Sequence, residues 1–256
     1  LGYGKMSCAT LFRYSGSKKK LVPLMEPPPF KPKRVVEPYL GGGGYILSSW
    51  KPALGIDVNE EVIQLWKWLR DEADLERLYE IREIVEAAKK QDPDGKPDVR
   101  EMPLSEAEQT YVRVNVTGAY VGQLSSWKVY PQHSLPVNQT AKFLERIENV
   151  ELTHGKAEED YHEVDGDVVF LDPPYTGTTG NYKNRGVGGI EEGYDPKTTV
   201  RLIRRLSAPT ILTYGSNAKE VFPDFDWRVL AKRKVPRLRG GGTIERIEHV
   251  CYFNWE

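Results

Sequence analysis

The sequence predicts an α/β fold, a mostly parallel sheet with helices on both faces. Three observations carry this. Short apolar runs end in an acid, as in "RVVE", "LGID" and "VVFLD". Between them lie stretches whose apolar residues recur at three and four positions. Turn residues mark the junctions between the two kinds of segment. Strands that alternate with amphipathic helices build parallel sheets covered on both faces.

The elements follow in order. Lys33 to Glu37 reads as a buried strand entering a glycine-rich turn, with a helix from about Tyr45. Pro52 to Asn59 holds a second short strand. Asn59 to Gln91 is helical: Val62, Leu65, Trp66 and Leu69, then Leu75, Leu78, Ile81 and Val85, keep the helical spacing. Asn59 suits an N-cap, and Asp71 to Asp74 marks a break. "DPDGKPD" is a loop by composition. Residues 92–150 are mixed in pattern and read as the insertion or small second lobe. Strands follow at Val150 to Thr153, Asp167 to Leu171 and Thr210 to Tyr214, with a helix near Pro196 to Leu206. The tail from Asp226 to Phe253 reads as paired strands.

Composition narrows the function. The 256 residues suffice for one large domain or one domain with an insertion. Formal net charge is −1, so any nucleic-acid surface has to be a local patch. Cys8 and Cys251 show neither a disulfide pattern nor metal spacing, and they read as reduced thiols. His133, His154, His162 and His249 show no ligand spacing, so no metal is expected. No apolar run reaches the roughly 20 residues of a membrane helix, and no signal peptide is visible. The expectation is a soluble, cytoplasmic protein. The chain starts with Leu, and residues 1–7 are not interpreted.

Two motifs carry chemistry. "VVEPYLGGGG" places a strand, a Glu-Pro corner and Gly41 to Gly44 in line, and Asp57 lies 20 positions after Glu37 at the end of the next strand. Glycines at such a turn admit a ligand to the backbone, and an acid at the next strand end suits ribose hydroxyls. A nucleoside-bearing cofactor fits. A dinucleotide fits less well, because the third glycine of its fingerprint falls at Ile46. No G-K-[ST] ending marks a phosphate loop. The second motif is "FLDPPY". Asp172 ends a strand, and Pro173 and Pro174 lack amide donors. An acceptor side chain beside an acceptor carbonyl suits an NH2 group, and the Tyr175 ring offers a stacking face for a planar base.

These motifs, in this order, resemble the Dam-type (adenine-N6) S-adenosylmethionine-dependent DNA methyltransferase family. "FRYSGSK" is similar to its opening motif, with Ser17 in place of a usual glycine. "VEPYLGGG" is similar to its cofactor motif, "GIDVNEEVIQLW" to its second motif, and "FLDPPY" to its catalytic motif. "RGGGTIERIEHVCYFNW" resembles its closing hairpin. About 130 residues separate the cofactor and catalytic motifs, as in members with an inserted target-recognition lobe.

The resemblance implies a Rossmann-like methyltransferase fold, with residues 1–70 and 150–256 forming the catalytic domain and residues 71–149 an inserted helical lobe. It implies S-adenosyl-L-methionine as cofactor, bound by Tyr14, Lys18, Glu37, Pro38, Tyr39, Gly41, Gly43, Asp57 and Asp172. Lys18 would reach the cofactor carboxylate, Asp57 the ribose, and Gly155 and Lys156 the surroundings of the cofactor adenine. Asp172, Pro173, Pro174 and Tyr175 would act on the target base, flipped out of duplex DNA.

Asn115, Tyr120, Lys183, Arg185, Arg237 and Arg239 would contact DNA. Asn115 and Tyr120 lie in "VNVTGAYVGQL", where Val116 and Val121 replace residues that are often Arg and Asn in the family. The basic run from Arg228 to Arg246 and the glycine-rich segment from Thr176 to Gly189 supply positive charge. The resemblance implies a bacterial or phage origin. It leaves room for a cognate restriction endonuclease in the same system, without direct contact. The residues leave cytosine-N4 methylation, RNA methylation and a catalytically silent binding protein as alternatives.

Overall fold

The computed structural model describes residues 11–12, 18, 20–49, 52–91, 96–117, 127–130, 132–175, 194–236 and 243–255. Seven strands form one sheet: β1 (Arg34–Glu37), β2 (Ala53–Asp57), β3 (Val150–His154), β4 (Asp167–Leu171), β5 (Thr210–Tyr214), β6 (Arg228–Pro236) and β7 (Thr243–Phe253). Their order is β3-β2-β1-β4-β5-β7-β6. The first five are parallel, and β7 is antiparallel to both β5 and β6. The chain winds outward from β1 to β3, then returns to β4 on the other side of β1. This is a Rossmann-like, doubly wound arrangement, and its reversal point lies between β1 and β4. In open α/β sheets the ligand crevice opens there, at the carboxyl ends of the strands.

The period of two along each strand divides the core. Val35, Val168, Phe170, Ile211 and Val250 join one apolar cluster. Their neighbours Val36, Val169, Leu171, Leu212 and Cys251 join another. Alternate side chains therefore fill opposite faces of the sheet, as the pleat requires.

The first face is covered by α2 (Glu60–Asp71), α3 (Leu75–Gln91), α4 (Glu106–Val116) and α5 (Val137–Ile147). The break expected near Asp71 to Asp74 separates α2 from α3. The Asn59 side chain caps α2 by accepting from the Glu61 amide. A capping box between Ser105 and Glu108 starts α4, a signal overlooked within the mixed middle segment. Leu78, Ile81, Tyr111, Val114, Phe143 and Ile147 share one cluster with the strand residues. Of these helices α2 packs directly on β2 and β3, α4 packs against α2, and α3 against α5. The second face is covered by α6 (Ala157–Asp160), α7 (Pro196–Arg205) and α8 (Ala218–Val221). A short helix, α1 (Ile46–Ser49), follows the glycine turn.

Among the described residues no helix is long and apolar enough to cross a membrane. Among them, too, no group of three His, Cys, Asp or Glu side chains is placed to hold a metal ion.

Candidate active site

Three acids stand at the carboxyl ends of neighbouring parallel strands: Glu37 on β1, Asp57 on β2, and Asp172 just after β4. The turn after β1 is built around them. Gly41 and Gly43 have positive φ, +45° and +60°. The Gly41 amide donates to Asp57 Oδ2 at 2.8 Å, and the Asn59 amide to Oδ1 at 2.9 Å. The Trp66 indole donates to the Gly41 carbonyl. The Ile46 amide donates to Glu37 Oε2. Burial raises the pKa of Glu37 well above its usual value, aided by the nearby charge of Asp172. It raises that of Asp57 too, against the two backbone amides.

Asp172 is the centre of the second group. Lys18 Nζ lies 2.7 Å from Oδ2, and the Thr213 hydroxyl donates to Oδ1 at 3.0 Å. The Lys18 ammonium also lies 4.8 Å from the centre of the Tyr175 ring. The Asp172 pKa is raised by burial, and Lys18 works against that rise. Tyr175 is half-buried, with its ring 4.7 Å from that of Tyr214. A Cβ on Gly215 would meet the Tyr175 ring at 2.8 Å, so only glycine lets the ring lie there. The Tyr175 hydroxyl donates to Glu248 Oε2 at 3.0 Å and lies 3.4 Å from Asp172 Oδ1. Pro173 is buried and Pro174 half-buried. Carboxylates converge at the reversal point of the sheet with donor-free prolines and a fixed aromatic ring. That arrangement can hold a cationic ligand and an amine-bearing ring side by side.

Residues 14–110 match the sequence model of the D12 class N6 adenine-specific DNA methyltransferases. The chain is similar to that family over these residues. The match spans the glycine turn and Asp57; Asp172 and Tyr175 lie beyond it. Along nearly the whole chain the sequence is also similar to the Type II methyltransferase M1.LlaDCHI of Lactococcus lactis subsp. cremoris. The two are 25% identical over 276 aligned positions, covering 94% of this chain and 93% of the relative. Among solved structures it is similar to the precorrin 8w decarboxylase of Methanobacterium thermoautotrophicum, at 16% identity and a TM-score of 0.38, covering 96% of this chain and 98% of the other. A second is described as a class I S-adenosylmethionine-dependent methyltransferase from Listeria monocytogenes, at 10% identity and a TM-score of 0.35, covering 87% and 54%. Likeness of that degree carries no weight here, and the fold rests on the strand order.

The described site residues fall into two groups. Glu37, Gly41, Gly43 and Asp57 surround the glycine turn, and Lys18, Asp172 and Tyr175 form the second group. Tyr39 bonds through its hydroxyl to Thr199 and packs edge-on against Tyr194. Burial raises the Tyr39 pKa to about 12. Gly155 reaches the end of β2, where its amide donates to the Asp57 carbonyl. The exposed Lys156 ammonium instead pairs with Glu159.

Asn115, expected at the DNA surface, is buried in α4, and its side-chain amide donates to the Tyr111 carbonyl. Tyr14, Tyr120, Lys183, Arg185, Arg237 and Arg239 lie outside the described residues.

Sequence reasoning missed Thr213, Gly215 and Glu248. None belongs to a local motif. Thr213 follows from the register: Leu171 pairs with Leu212, so Asp172 and Thr213 come side by side. A surface depression of about 640 Å³ is lined by Glu26, Arg228, Tyr252, Asn254 and Trp255, none of them a candidate site residue.

Proposed function

We propose that this methyltransferase uses S-adenosyl-L-methionine to methylate the exocyclic amino group of an adenine flipped out of duplex DNA. The observation that carries the reading is the buried Asp172 carboxylate, followed by two prolines and a fixed tyrosine at the reversal point of the sheet. The cofactor is a cation at its sulfonium and at its ammonium. The residues present fit such a group: Glu37 and Asp172 are desolvated carboxylates with raised pKa values, and a positive ligand offsets that cost. Asp57, with lone pairs left over from the two backbone amides it accepts, would hold ribose hydroxyls. The glycine turn would carry the methionine portion. When bound, the cofactor supplies a methyl group on a positively charged sulfur.

The chain's own residues do the rest. Asp172 and the Pro173 carbonyl would accept the two amine hydrogens, which localises the nitrogen lone pair. As that nitrogen becomes positive during transfer, the Asp172 carboxylate stabilises the charge in a site poor in water. Tyr175 would stack on the base and recover part of the few kcal/mol spent in unstacking it. In the free protein Lys18 Nζ sits beside Asp172 and over Tyr175, where the amine and base would bind. Base entry therefore requires Lys18 to withdraw, and the cofactor carboxylate is a suitable new partner. The Type II relative suggests protection of DNA within a restriction–modification system. A target-recognition role belongs to residues 71–149 in this reading.

The test is Asp172→Ala. Loss of a preorganised polar contact to the reacting group costs about 10²–10³-fold in rate. The variant should fall by at least that much in radiolabelled methyl transfer to unmethylated genomic DNA. Because it removes the Lys18 partner, D172A/K18M serves as the stability control, with melting near wild type and activity still absent. Digested product should contain N6-methyladenine and no N4-methylcytosine. Near-normal turnover by D172A would sink the assignment.

A further inference from the structure

The Tyr175 hydroxyl has a single proton and two carboxylates within reach. It lies 3.0 Å from Glu248 Oε2 and 3.4 Å from Asp172 Oδ1. The longer contact is at the weak limit of hydrogen bonding, so the proton is directed to Glu248. We infer that Glu248 is a positioning residue that keeps the tyrosine hydroxyl off Asp172 and so preserves an acceptor site for the target amine. The inference rests on the methyl-transfer reading and deepens it.

The count of lone pairs makes the case. A carboxylate oxygen offers about two acceptor sites. Asp172 Oδ1 already accepts from Thr213 at 3.0 Å, and that bond remains when Lys18 withdraws from Oδ2. If the tyrosine hydroxyl also turned to Oδ1, that oxygen would be filled, and an amine hydrogen would meet a donor already in place. With the hydroxyl held by Glu248, one site on Oδ1 stays available.

Glu248 is built to stay where it is. It lies on β7 and is 5% exposed. Its other oxygen, Oε1, accepts from Arg233 Nη2 at 3.0 Å. Across the hairpin Glu248 faces Ala231, whose small side chain leaves room for Arg233 to reach over diagonally. The next residue, His249, pairs with Tyr214 on β5 and contacts the Gly215 carbonyl through Nδ1. Gly215 in turn borders the Tyr175 ring. Backbone and side chain thus fix Glu248 relative to the ring that it holds.

A purely structural Arg233–Glu248 pair would behave differently, and a mutant cycle separates the two. A lost hydrogen bond to a charged group corresponds to about a 10–100-fold change in rate. E248A should lower kcat on unmethylated genomic DNA by that factor while cofactor affinity, read by calorimetry, stays near wild type. E248Q keeps the volume and an acceptor oxygen and should recover most of the loss. In a Y175F background no hydroxyl competes for Asp172, so adding E248A should change kcat little, and Y175F/E248A should exceed E248A alone.

Equal losses from E248A in the Tyr and Phe backgrounds would overturn this inference while leaving the methyl-transfer reading intact. A wild-type protein that transfers no methyl group to DNA would overturn both.

Discussion

At the level of single residues, the site is a balance of charges out of water. Glu37, Asp172 and Glu248 are buried or nearly so, and Lys18 is the cation among them. Burial is the first cause of the raised Asp172 pKa, and the Lys18 ammonium is the main influence against it. The raised value favours the protonated acid, which accepts poorly. Removing Lys18 therefore raises the pKa further, and the acceptor form is reached only at higher pH. For K18M the acidic limb of the kcat/KM profile, which reports the free enzyme, should move to higher pH. A limb that stayed in place, or moved to lower pH, would show that Lys18 does not set the Asp172 charge. The same sign holds for stability. A carboxyl whose folded pKa is raised contributes fully below its unfolded value, and that contribution is lost as pH rises through the folded value. A cationic ligand opposes the loss.

Among the elements, the turn between β1 and α1 is the most constrained. Gly43 combines φ of +60° with an indole at close range: a Cβ there would lie 2.3 Å from the Trp66 ring. Trp66 cannot easily yield, because it is fully buried and its Nε1 is bonded to the Gly41 carbonyl. A left-handed conformation costs an L-residue about 1–2 kcal/mol, and overpacking an interior costs about 1–3 more. For a chain of this size each kcal/mol shifts Tm by about 2–4 °C. Gly43→Ala should therefore melt roughly 4–20 °C below wild type by calorimetry and lose cofactor affinity with it. An unchanged Tm would mean that the turn is looser than its contacts indicate. The turn also shows why Asp57 matters before any ligand arrives. It receives the Gly41 amide from one strand end and the Asn59 amide from the next, and so locks two loops together.

For the whole molecule, a net charge of −1 conceals a polarised surface. The β6–β7 hairpin presents Lys232, Arg233, Lys234 and Arg246 at exposed positions. Arg233 faces Arg246 directly across the two strands. Like charges placed opposite each other are unfavourable in isolation, and an anion between them removes the penalty. Arg233 is also tied to Glu248, so the same hairpin links the basic surface to the Tyr175 platform. DNA affinity should therefore fall steeply with salt despite the near-neutral total. For Arg246→Ala the slope of log K against log salt should become shallower by about one phosphate contact, measured by fluorescence anisotropy on duplex DNA. A slope equal to wild type would place Arg246 off the DNA surface.

The sequence by itself determined the local structure. It set the acid-ended strands, the helix break between α2 and α3, the Asn59 cap and the Asp-Pro-Pro-Tyr corner. Each depends on residues near one another in the chain, through periodicity, capping or fixed φ. The sheet order decided the rest. The folded sheet and the segments at its edge bring together side chains from distant parts of the sequence, so Lys18, Thr213 and Glu248 gather around Asp172 across separations of 154, 41 and 76 residues. No local pattern encodes such a meeting. The burial of Asn115 likewise depends on the packing of α4 against α2, and polarity in the sequence does not reveal which face that buries.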